Sequence, residues 1–82
     1  MITLNNLELG QTAVINAFTN DFLALKLIEM GCLPGEKIKL AYIAPLGDPI
    51  AIEVSGSLLS LRREEASTVI VTPISETTNA LV

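Results

Sequence analysis

The chain has 82 residues, half of them hydrophobic, which is room for one domain with an adequate but not generous core. Five basic against nine acidic residues leave a formal net charge of −4, the reverse of the basic excess that nucleic-acid binders use to replace phosphate counterions. The aromatic residues are Phe18, Phe22 and Tyr42, too few for a base-stacking face, so no nucleic-acid partner is expected.

Residues 12–18 follow Gly10, are rich in strand formers and predict a first long strand. Thr19 or Asn20 can cap a short helix over 21–30. Gly31 stands where a glycine ends such a helix, and Pro34-Gly35 prevents a restart. Residues 36–44 alternate, with Ile38, Leu40 and Tyr42 expected to face inward and Lys37 and Lys39 outward. Pro45 to Pro49 form a rigid turn in which Gly47 is expected to take a positive φ. Ile50, Ile52 and Val54 mark the return strand, and Ser55-Gly56-Ser57 turns again. Leu58 to Leu61 is a further strand, with Leu59 and Leu61 inward. Arg62 to Ala66 is a charged turn or a single helical turn, and Thr68 to Thr72 is the last strand. A single domain over 1–73 is expected, with a polar tail over 74–82 that frays. The fold class is mainly β: a small, partly closed barrel of about five strands with one short helix inserted after the first long strand.

No histidine is present, which removes the commonest general base and metal ligand and any Ser-His or Cys-His nucleophile pair. The carboxylates are scattered and the glycines are isolated, with no phosphate-cradling loop. No catalytic residue, cofactor or metal ligand is expected, and the chain reads as non-enzymatic. Cys32, the single cysteine, reads as a small buried hydrophobe; its being alone excludes an intrachain disulfide and agrees with a reducing compartment. The first residues carry no signal-peptide pattern, and no apolar run is long enough to span a bilayer. A cytoplasmic protein without direct membrane insertion is expected.

Two features suggest a partner. On a helical wheel Leu23, Leu27 and Met30 share the core-facing side, while Phe22, Leu25 and Ile28 form a second apolar stripe. That stripe is either covered within the domain, for instance by the tail around Ile74 and Leu81, or exposed as a contact surface. A homodimer through the helix is one way to cover it. Arg62-Arg63, followed by Glu64-Glu65, is either a solvated turn or a docking spot for a charged partner.

Leu27 to Gly35 resembles an L-x-x-M-G-x-x-P-G signature, Ala44 to Ile50 an A-P-L-G-D-P turn, and Leu61 to Val71 an L-R-R-x-x-A ending; Leu7 and Gly10 resemble the opening of the same pattern. Together they span residues 7–71 in the order of the ferrous iron transport protein A (FeoA) family. The resemblance implies an SH3-like barrel and a cytosolic accessory protein of bacterial ferrous iron uptake. Its implied partner is the membrane ferrous iron permease with a cytosolic GTPase domain, which places the protein peripheral to the inner membrane. The alternative function is a ferrous-metal-binding or metal-sensing module.

Overall fold

The computed structural model describes residues 1–75. The chain opens with a 3-10 turn over Leu4–Asn6, braced by the Thr3 amide donating to Asn6 Oδ1 at 2.9 Å. Among the described residues there follow β1 (Thr12–Phe18), α1 (Asp21–Glu29), β2 (Lys37–Ile43), β3 (Ile50–Val54), β4 (Ser57–Leu61), α2 (Arg63–Ala66) and β5 (Val69–Ile74). The five strands form one antiparallel sheet in the order β4-β3-β2-β1-β5. The mainly β class and the helix inserted after the first strand are as the sequence implies.

Two bulges shape the sheet. In β1 the register with β5 jumps between Ile15 and Ala17, so Asn16 is an extra residue. In β2 the register with β3 jumps between Leu40 and Tyr42, so Ala41 is extra. Each bulge shifts the inward phase by one position and increases the local twist. Before the bulges Ala13, Ile15, Ile38 and Leu40 are fully buried. After them Phe18 and Ile43 turn toward the core. Tyr42, expected inward, is therefore 53% exposed. Strict alternation fails there because two residues of β2 face one residue of β3.

The β3–β4 hairpin is tight. Val54 pairs with Ser57, and both loop residues have positive φ, 51° at Ser55 and 78° at Gly56, the backbone of a two-residue hairpin whose twist matches its strands. β5 runs through Pro73 to Ile74, beyond the expected end at Thr72. Proline is tolerated there because β5 is an edge strand. Residues 76–82 of the expected tail, Leu81 included, lie outside the described residues.

α1 is defined at both ends by local chemistry. The Asn20 side chain accepts from the Leu23 amide at 2.9 Å, so Asn20 and not Thr19 is the cap, a contact worth about 1 kcal/mol. At the other end Gly31 takes φ +106°. Its amide donates to Ile28 O at 3.0 Å, and the Cys32 amide donates to Leu27 O at 2.9 Å. This is a Schellman closure, and its usual apolar contact is supplied by Leu27 and Cys32, both in the core.

Candidate docking surface

The helix has one side in and one side out. Leu27 is wholly buried, and Leu23 and Met30 are half-buried beside it. On the other side Phe22 is 86% exposed, Leu25 62% and Ile28 37%. Leu33, just past the helix end, is exposed as well. Ile74 does not cover this face: it pairs with Thr12, whereas α1 departs from the opposite, Phe18 end of β1. Among the described residues the second stripe is thus a surface, and a large apolar side chain left wholly in water forgoes roughly 1.5–3 kcal/mol of burial.

The helix is held in place by a polar bond to α2. Lys26 Nζ donates to Glu65 Oε2 at 2.6 Å, and the Arg62 amide donates to Glu65 Oε1 at 2.8 Å. The hydrogen bond from Lys26, then that from the Arg62 amide, holds the Glu65 carboxyl below the usual carboxylate range against the opposing effect of burial.

Arg62 and Arg63, grouped by the sequence as one candidate pair, have different surroundings. Arg62 is exposed. The Arg63 guanidinium turns inward, donating to the Gly47 carbonyl, to Asn5 O at 3.3 Å and to Asn5 Oδ1 at 2.8 Å. Its backbone amide donates to Asp48 Oδ1 at 3.0 Å. One side chain thereby ties the N-terminal turn, the β2–β3 loop and α2 together. The sequence gives no sign of this, because the partners lie 15 to 58 positions away.

The described residues bring no acidic or thiol side chains together in threes that could hold a metal ion. Cys32 is 1% exposed, and burial pushes its thiol up, which keeps it protonated and unreactive near neutrality. An open cleft of about 330 Å³ is lined by Thr12, Lys37, Lys39, Glu53 and Ser55, with Ile38 and Gly56. None of its charged groups is buried. No helix among the described residues is long and apolar enough to cross a membrane. Leu46, between Pro45 and Gly47 in the β2–β3 loop, is 97% exposed.

Residues 2–73 match the FeoA domain. The chain belongs to the FeoA family. Solved structures agree along nearly its whole length. A FeoA-like protein of Clostridium acetobutylicum is 31% identical with a TM-score of 0.86, over 96% of this chain and 93% of that one. The FeoA protein of Chlorobium tepidum is 31% identical with a TM-score of 0.84, over 94% of this chain and 74% of the other. Stenotrophomonas maltophilia FeoA, solved with zinc, is 32% identical with a TM-score of 0.75, over 87% and 89%. That protein is described as an SH3 domain protein and a candidate activating factor for bacterial ferrous iron transport. The SH3-like class and the association of the FeoA family with iron transport agree with the motif resemblance.

Proposed function

We propose that this FeoA-family chain is a cytoplasmic accessory module of ferrous iron uptake that docks on the cytosolic GTPase part of the membrane iron permease and modulates transport. It is peripheral to the inner membrane through that partner. The observation that carries this reading is the exposed apolar face of α1, Phe22, Leu25 and Ile28. Buried Leu27 anchors the opposite side of the helix and the Lys26–Glu65 bond ties its flank to α2, so little ordering entropy stands against capture of this face. Arg62, exposed at the start of α2, is the charged group that would set orientation.

The test is retention of the permease from solubilised membranes by the tagged protein. The parent is expected to retain it and Leu25→Glu to lose it while keeping its fold. A parent that retains no permease, or a Leu25→Glu variant that retains it equally, overturns the reading. Loss of a homodimer on the same substitution would assign the face to a second copy of the chain. The alternative of ferrous binding or sensing gains no donor cluster from the described residues. A stoichiometric, tight ferrous complex of the monomer under anaerobic conditions would revive it.

A further inference from the structure

Leu46 is the most exposed large hydrophobic residue among those described. A single exposed leucine needs no explanation by itself. This one differs in how its backbone is held. The Ala44 amide donates to Pro49 O at 3.0 Å and the Gly47 amide to Ala44 O at 2.7 Å. From outside the loop, the Arg63 amide donates to Asp48 Oδ1 at 3.0 Å and the Arg63 guanidinium donates to the Gly47 carbonyl. Pro45 and Pro49 limit their own φ. The apex is therefore fixed by α2 before any partner arrives, and capture of the side chain orders little more than its own rotamers. A side chain 97% exposed contributes almost nothing to the fold. The braces thus hold out a leucine where a polar residue would serve the turn equally well.

We propose that Leu46 is a preorganised anchor that inserts into an apolar pocket on a folded protein, the same partner that takes the α1 face; the inference rests on the docking reading. α2 connects the two surfaces: Glu65 holds Lys26 of α1, and Arg63 holds Gly47 of the loop. A protein pocket fits better than a lipid surface. Stable membrane anchoring needs more apolar burial than one leucine, or a polybasic patch beside it. Of the two arginines next to this loop Arg63 is committed inward, the exposed Arg62 is a single charge and not a polybasic patch, and the chain carries a net charge of −4. A second copy would offer either its open cleft, where Lys37, Lys39, Glu53 and Ser55 would meet the leucine, or its α1 face, which the docking reading already gives to the partner.

The experiment titrates the full chain onto detergent-solubilised permease, comparing the parent with Leu46→Ala, Leu46→Met and Leu25→Glu. Sizing of each protein and binding to vesicles of phosphatidylethanolamine and phosphatidylglycerol are measured in parallel. Leu46→Ala is expected to weaken binding roughly tenfold or more and Leu46→Met to stay near the parent. All are expected to melt close to the parent, and none to bind vesicles. Parent-like binding by Leu46→Ala, with binding lost in Leu25→Glu, overturns the anchor and leaves the docking reading standing. A parent that does not bind the permease overturns both. Vesicle binding lost on Leu46→Ala, or self-association lost on it, overturns the protein-pocket assignment in favour of lipid or a second copy.

Discussion

Lys26 Nζ lies 2.6 Å from Glu65 Oε2 across 39 positions of sequence, and this bond sets α1 against α2. The Glu65 side chain is 13% exposed and Lys26 58%, so one end of the pair is shielded and the other is screened. The folded-state pKa of Glu65 is lowered. A lowered carboxylate contributes stability above its unfolded value of about 4.3, and that stability is lost as pH falls through the folded value. Glu65→Gln should therefore cost about 0.5–1 kcal/mol near neutrality, and the gap to the parent should narrow as pH falls below about 4.3 and through the lowered folded value. Denaturant unfolding at several pH values measures it. A gap that is the same at both ends of the series refutes the assignment.

Gly47 takes φ +91°, and a Cβ added there would meet nothing within 4 Å. A side chain at this position is opposed by backbone conformation alone, not by a clash. Gly47→Val should lower stability by on the order of 1 kcal/mol or more. For a domain of this size that is a fall in melting temperature of roughly 4–8 °C. The carbonyl of Gly47 also accepts from Arg63, so a loop that shifts to relieve the strain gives up that bond. An unchanged melting temperature would show that the loop adapts without loss.

Most of the architecture was legible because its signals are local. Asn20, Gly31 and Gly47 each act within a few residues, through a cap, a helix closure and a turn. The alternation Ile50, Ile52, Val54 needs nothing beyond the strand itself, and these residues are buried. The bulges at Asn16 and Ala41 were not legible, since an extra residue is defined by the strand opposite. The inward turn of Arg63 was hidden for the same reason: its acceptors belong to the turn and loop that the fold brings to α2. The two-striped helix was visible in the sequence, but whether its second stripe is covered depends on what packs beside α1.

Tyr42 gives a direct test of the β2 bulge. Strict alternation would make it a core residue, and truncating a buried aromatic costs about 3–5 kcal/mol. With Ala41 as the extra residue, Tyr42 is half in water. Tyr42→Ser is then expected to cost about 1 kcal/mol or less. A loss near the core value in chemical denaturation would mean that the ring faces inward.

Leu25 and Leu27 lie two positions apart on α1, and the structure assigns them opposite fates. Leu27 is fully buried in the core cluster, and Leu25 is 62% exposed. Leu27→Ala leaves a cavity and is expected to cost about 2–5 kcal/mol, a melting-temperature drop of roughly 10 °C or more. Leu25→Glu keeps a good helix former on a solvated face, where surface substitutions usually stay within about 0.5 kcal/mol. A few tenths of destabilisation are expected from the new carboxylate, which falls four residues from both Asp21 and Glu29. Far-ultraviolet melts of the two variants beside the parent separate the cases. If Leu25→Glu destabilises the monomer by several kcal/mol, as an unpaired charge does when buried, the second stripe is covered by this chain itself and cannot be the docking face. If it melts like the parent while Leu27→Ala collapses, the stripe is free to meet a partner, and any binding lost on Leu25→Glu is lost at the contact rather than through the fold.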